Sequence, residues 1–302
     1  MRRQLLIGSG IIVAVVALVG GLVLASQQGM FAEKEKTWLT EAERALKQGN
    51  VAQAQAKLEQ LIAVSPDSGW TDDALLHLAE IHQQQHKLLE ARRTCRTLLE
   101  KFPDSPLVER AQKILGDVNI ALIFSPVAME EDVVYTVEPG DTLAVIAKKN
   151  STTVDFVRRC NDLKKDIIRP GQRLKIPKGT FSIVVDKSQR QLLLTRDGQF
   201  VKLYPVAPGR ENSTPDGTFK IINRIENPVW YKQGVAVPPD SPENILGTRW
   251  LGLDKPGYGI HGTDEAAPIT EQYSSGCIRM MNADVEELFN IIPIGTEVTI
   301  VD

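Results

Sequence analysis

SSGCIRMMNADVEELFNIIPIGTEVTIV, residues 274–301, sets a turn, a helix and a strand end to end. Cys277 follows a glycine and lies on no helical stripe. From Asn282 to Ile292 the spacing is helical, with Asn282 placed as N-cap and Asp284, Glu286 and Glu287 suited to a first turn. TEVTIV then alternates as a strand. Working back to Phe181, the period is two: FSIVVD, RQLLLTR and QFVKLYPVA are β-type runs, and Asp197-Gly198 between the last two marks a hairpin. TPDGTFKIINRI adds a turn and a strand, and TRWLGL and YGIHG add two more. The region 180–302 therefore reads as a mostly antiparallel β domain with one main helix.

Cys277 has three possible roles: nucleophile, disulfide half or small buried hydrophobe. The chain holds three cysteines, an odd number that leaves one free unless it pairs with another chain. Cys95 shares a helical stripe with Ala91, Leu98, Leu99 and Phe102, and Cys160 shares one with Val154 and Val157, so both read as core. His261 ends the strand YGIHG, sixteen residues before Cys277. An imidazole at hand supplies a thiolate by taking the thiol proton. Gly276 permits a backbone that turns amides toward a bound carbonyl. Arg279 is placed to bind a carboxylate or to fix the turn. Residue pattern alone leaves two readings, a Cys-His acyl-transfer pair and a structural cysteine beside an unrelated histidine. The Pro-rich segment 227–247, with Trp230 and Tyr231, reads as a lid or substrate-binding loop.

Upstream the organisation is modular. Arg2 and Arg3 precede an uncharged run from Leu5 to Ala25, which at about 1.5 Å per residue spans a hydrocarbon core. The positive flank predicts a cytoplasmic N-terminus and an exported remainder. Val23 and Ala25 also fit a signal-peptide cleavage site, but the apolar run is long, which favours an uncleaved anchor over 1–30. Residues 34–125 carry an internal repeat: GNVAQAQAKLEQLIAVSPDS (49–68) aligns with HKLLEARRTCRTLLEKFPDS (86–105). Further amphipathic stripes run through Ala74–His82 and Val108–Leu122. His82 and His86 have metal-binding spacing, but no Glu follows the first, so they read as part of a partly solvated helix and no metal site is expected. A net charge of −3 with no long basic run argues against nucleic-acid binding. After a linker at 126–132, residues 133–179 read as strand–helix–helix–strand. Asp141 is the expected N-cap of a helix over 142–149, with Asn150 closing it in the left-handed conformation.

Three resemblances attach to these residues. The helix pairs closed by Pro-Asp-Ser resemble tetratricopeptide repeats, which implies either a partner-binding surface or a spacer. YTVEPGDTL (135–143), Asn161 and RPGQRLKIP (169–177) closely resemble a LysM domain. That implies binding of N-acetylglucosamine-containing glycan, here peptidoglycan, through Gly140, Asp141 and Thr142 and through the loop of Ile168, Pro170 and Gly171. TPDGTF, NILGTRWLGL, YGIHGTD and SSGCIRMMN resemble the YkuD-like L,D-transpeptidase domain, whose signature is H-G-T followed by S-x-G-C-I-R at this interval. The resemblance implies a cell-wall acyltransferase of the bacterial envelope, acting on peptidoglycan stem peptides without metal or cofactor. It implies Cys277 as nucleophile and His261 as base. Gly276, Ser275, Arg279, Gly262 and Tyr258 are implied around the oxyanion and substrate. Water or a protein amine as acceptor, or a glycan-binding scaffold with weak catalysis, stand as alternatives. One position departs from the family: a second histidine usually precedes the Gly-Cys pair, and Ser275 stands there.

Overall fold

The computed structural model describes residues 33–264, 269 and 274–302. The membrane segment expected over 1–30 lies outside the described residues. Among those described, no helix is long and apolar enough to cross a membrane. The chain divides after Ile114 into two compact units.

The first unit is helical: α1 (33–47), α2 (Val51–Val64), α3 (Thr71–Gln84), α4 (Leu88–Lys101) and the start of α5 (Val108–Ile123). The expected 37-residue spacing is that between the starts of α2 and α4, at 51 and 88. Small residues on the inward faces let the helices approach: Ala42, Ala45, Ala54 and Ala74 pack with Trp38, Leu58, Leu61 and Leu78 in one core. Cys95 is buried in α4, and burial pushes its thiol up to about 12, as for an inert core cysteine. His82, expected in a partly solvated helix, is itself buried, its Nδ1 3.4 Å from the Thr94 hydroxyl. His77 instead faces Glu80 at 3.3 Å.

After the rest of α5, the second unit carries the strand–helix–helix–strand module: β1 (Asp132–Thr136), α6 (Leu143–Lys149), α7 (Val154–Cys160) and β2 (Arg173–Pro177). β1 and β2 pair antiparallel from Asp132↔Pro177 to Thr136↔Arg173. Leu143, Ile146, Ala147, Val157, Leu174 and Ile176 fill the space between helices and hairpin. Two expected caps differ. Thr142, not Asp141, caps α6 by accepting from the Val145 amide, because the Asp141 carboxylate already accepts from the Glu138 amide and the Tyr135 hydroxyl. Asn150 keeps φ −102°, and the left-handed residue is Ser151 at +54°.

The remaining chain forms an eight-stranded sheet in the order β11-β10-β9-β6-β12-β3-β4-β5. Its members are β3 (Phe181–Asp186), β4 (Gln191–Arg196), β5 (Gln199–Pro205), β6 (Gly217–Glu226), β9 (Arg249–Leu253), β10 (Gly259–Thr263), β11 (Ile278–Met281) and β12 (Glu297–Val301). Asp197 and Gly198 both have positive φ, the primed turn that suits the right-handed twist of β4 and β5. Most pairs are antiparallel, as expected. The exceptions are β10 with β11 and β12 with β3. Helix α8 (Asn282–Ile291) carries the chain from β11 across to β12. Asn282 is its first residue rather than its cap, since its Oδ1 accepts from the Thr248 amide. β11 has no signature in the sequence: Ile278, Arg279 and Met280 are all buried, so the alternation of a half-exposed strand is missing.

Asn161 is the module's polar clamp. Its amide donates to the Val157 and Lys175 carbonyls, and its Oδ1 accepts from the Lys175 amide, at 2.7–2.8 Å. Asn161→Ala strands these groups and should lower stability by about 2 kcal/mol or more. A urea titration followed by amide exchange over 133–177 checks this.

Candidate active site

Strand β10 carries His261 between β9 and β11, opposite Trp250 and Arg279. The ring is 2% exposed and stacks on Trp250 at 6.1 Å between centroids. Its Nδ1 lies 3.0 Å from the Gly262 carbonyl oxygen. A carbonyl only accepts, so Nδ1 carries the proton and Nε2 holds the free lone pair. Burial, with the nearby Arg279 charge, lowers the His261 pKa to about 4 even though the Gly262 contact favours protonation. At neutral pH the ring is an uncharged base.

Cys277 ends the turn before β11. Four backbone bonds set that turn against residues 207–214, one of them from the Ser274 amide to the Pro208 carbonyl at 3.3 Å. Ala207 and Arg279 exchange two amide–carbonyl bonds of 2.9 Å, and the Arg210 amide donates to the Ser274 carbonyl. The buried Thr214 hydroxyl accepts from the Gly209 amide at 2.7 Å and donates to the Gly276 carbonyl at 2.9 Å. Within the turn, Ser274 Oγ accepts from the Gly276 amide at 3.0 Å and donates to the Cys277 carbonyl. Gly276 has φ +135°, and a Cβ there would lie 2.9 Å from the Tyr258 ring, so both backbone and space require glycine. The thiol is partly exposed, with Sγ 3.5 Å from the Gly257 carbonyl. Burial raises its pKa, and the Gly259 amide offsets part of that rise. The resting pair is therefore neutral thiol and neutral imidazole.

Cys277 and His261 open into one cavity of about 920 Å³. Arg279, Tyr258, Ser275 and Gly276 line it too. Part of its wall comes from the Pro-rich insertion, at Pro228, Val229, Trp230 and Tyr231. The insertion contains a hairpin that the sequence reading missed, β7 (Trp230–Lys232) paired with β8 (Val235–Val237). Its signal was the two-residue Gln233-Gly234 turn, both with positive φ. Asn244 holds the base of the hairpin by donating to the Pro228 and Val237 carbonyls.

Not every expected residue reaches the cavity. Gly262 lies under α8 against Asn282 and Val285, and its carbonyl orients His261. Arg279 does line the cavity, but it is largely buried and donates to the Thr263 hydroxyl at 2.8 Å, which ties β11 to β10. Sequence reasoning gave no role to Thr214, Ser274 or Trp250. The only hint was that Thr214 opens the quoted TPDGTF. In the smaller module, Gly140, Asp141 and Thr142 form the β1–α6 turn. Pro170 lines a second cavity of about 690 Å³ with Lys164, Lys165, Ile167 and Arg169. Ile168 packs on the module core, whereas Ile167 is exposed. Gly171 closes the loop by donating to the Val137 carbonyl.

Comparison with known proteins follows the same division. The L,D-transpeptidase catalytic domain family matches residues 180–300, the LysM domain family residues 135–177, and the tetratricopeptide repeat family residues 45–115. YkuD of Bacillus licheniformis, named as an L,D-transpeptidase, is 38% identical over 174 residues, 55% of this chain and 97% of that protein. Its namesake in Bacillus subtilis is 37% identical over 172 residues, with the same coverage of both. YqjB of Bacillus subtilis, also named as an L,D-transpeptidase, is 39% identical over 126 residues, 40% of this chain and 70% of that protein.

Thr214→Val keeps the shape at this position and removes both hydroxyl bonds, which should cost about 1–3 kcal/mol and loosen the turn. The expected outcome is a lower melting temperature together with faster alkylation of Cys277 by iodoacetamide, read by mass spectrometry.

Proposed function

The chain belongs to the YkuD-type L,D-transpeptidase family, and we propose that it is a peptidoglycan L,D-transpeptidase in which Cys277 is the nucleophile and His261 the general base. The observation that carries this reading is the partly exposed Cys277 thiol sharing one cavity with a buried, uncharged His261. In the proposed reaction Nε2 takes the thiol proton as sulfur attacks the carbonyl of the third stem residue. The Gly276 amide is already held by Ser274 Oγ, so the Cys277 amide is the donor assigned to the oxyanion. Collapse breaks the amide bond, and His261 returns the proton to the departing D-alanine amine. The thioester then passes to an amine of a second stem, whose proton His261 accepts. Ser275 sets no second imidazole beside the thiol, so one base serves both half-reactions.

The same reading gives the LysM domain the glycan strand and places the protein in the cell envelope. It divides the chain into repeats at 34–125, a linker at 126–132, the LysM domain at 133–179 and the catalytic domain at 180–302. The apolar run Leu5–Ala25 is assigned as the membrane anchor, and the repeats as the surface for a protein partner. The order of the three family matches supports the division into repeats, LysM domain and catalytic domain, and the anchor rests on the uncharged apolar run itself.

Tetrapeptide-stem muropeptides incubated with wild type should give dimers lacking the terminal residue, and Cys277→Ala should give none. Tripeptide monomers alone would identify water as acceptor, and turnover by Cys277→Ala would overturn the assignment. The pH dependence follows from the two shifts. His261 is neutral above about 4, so the acid limb of acylation should fall near there and not near 6.5. Its folded pKa is depressed, so the stability it favours is complete above about 6.5 and is lost as pH falls toward 4. A pH series of thioester formation and of melting temperature reads both.

A further inference from the structure

The LysM domain, the catalytic domain and the end of α5 lie in one compact unit. Two contacts bind the two domains directly, and a third binds LysM to the end of α5, which Asn119 ties to the catalytic sheet by donating to the Phe200 and Val201 carbonyls. The Arg196 guanidinium on β4 pairs with the Asp132 carboxylate on β1 at 2.7 Å, with the two side chains 4% and 0% exposed. The same arginine donates to the Glu131 and Lys178 carbonyls. One residue of the catalytic sheet thus grips both ends of the LysM hairpin. On β2 of that hairpin, the Lys175 ammonium is buried and donates to the Leu122, Ile123 and Val127 carbonyls at 2.6, 2.9 and 3.3 Å. All three of its protons are used. Between these polar locks, Phe124, Phe156 and Phe181 form an edge-to-face series with centroids 6.2 and 6.4 Å apart. Those rings belong to the segment after α5, to LysM helix α7 and to catalytic strand β3.

Buried charges of this kind are costly unless they stay paired, so the docked arrangement has little freedom to swing. A flexible tether between the two domains would need none of these contacts, since proximity alone raises effective concentration. The LysM domain is also held by its back. Its outer loops, with Gly140, Thr142, Arg169, Pro170 and Gly171, stay exposed, and the second cavity opens at the second of them, beside Arg169 and Pro170.

We propose that Arg196, Asp132 and Lys175 are positioning residues that fix the glycan-binding loops at a constant offset from Cys277. A strand held by the LysM domain then presents only the stem at that offset to the catalytic cavity. The enzyme selects stems by their position along the strand as well as by their chemistry. This rests on the L,D-transpeptidase reading. It adds a specificity that the catalytic cavity alone does not supply.

The test compares wild type with Arg196→Met, Asp132→Asn and Lys175→Met. Lys175→Met leaves the catalytic strands untouched and serves if the first two variants fold poorly. Tryptic cleavage after Lys178 reports release of the docked domain. Two substrates are used: a soluble disaccharide tetrapeptide, and glycan oligomers of uniform length with a tetrapeptide stem on every disaccharide. Tandem mass spectrometry reads which stems of the oligomer lose their terminal residue. Wild type should favour one offset. In the variants cleavage after Lys178 should appear and the preference should flatten, with disaccharide turnover within about twofold of wild type. The proposal is overturned if wild type modifies all positions equally, if the preference survives in Lys175→Met and Arg196→Met, or if turnover of both substrates falls together. Failure of wild type to process the disaccharide would overturn the L,D-transpeptidase reading instead.

Discussion

One hydroxyl group carries much of the active-site geometry. Thr214 accepts from one backbone and donates to another, and so joins the chain that enters the catalytic sheet to the turn that presents the thiol. No side chain in the turn does this for itself. Gly276 is forced to be glycine, and Ser274 spends its hydroxyl inside the turn. The parallel pairing of β10 with β11 depends on the same junction. It sets His261 opposite Arg279 only if the turn before β11 delivers the strand in register.

Two buried groups of opposite character then set the chemistry. His261 is stripped of water by Trp250 and the sheet, and Arg279 adds a positive charge that disfavours a second one. Arg279 is itself held by Thr263 and by its strand pairing, so its contribution is fixed before any substrate arrives. At rest the site resembles a prearranged dipole more than an ion pair: imidazole and thiol are both neutral, and under the proposed mechanism they stay so until a carbonyl lies between them.

Much of this was legible in the sequence. The hairpin at Asp197-Gly198, the strand carrying His261, the helix over 282–291 and the LysM hairpin ending at Pro177 all follow from period and turn chemistry. Cys277 stood out because Cys95 and Cys160 had helical stripes to belong to and it did not. What stayed hidden has a common cause. Buried strand β11 has no alternation, the Asp141 carboxylate had a nearer donor than the helix it precedes, and Thr214 acts on a segment sixty-two residues away. Local pattern predicts local bonds. It does not report which distant backbone a side chain will meet.

The raised pKa of Cys277 has one more consequence. Peroxides and other oxidants attack the thiolate, and a thiol that keeps its proton is a poor target on the path to sulfenic and sulfinic acid. In the proposed mechanism Cys277 is deprotonated only during attack, and it gains durability because between encounters with the wall it is chemically quiet. That trait suits an enzyme exposed to an oxidising envelope without the cytosol's reducing systems to repair it.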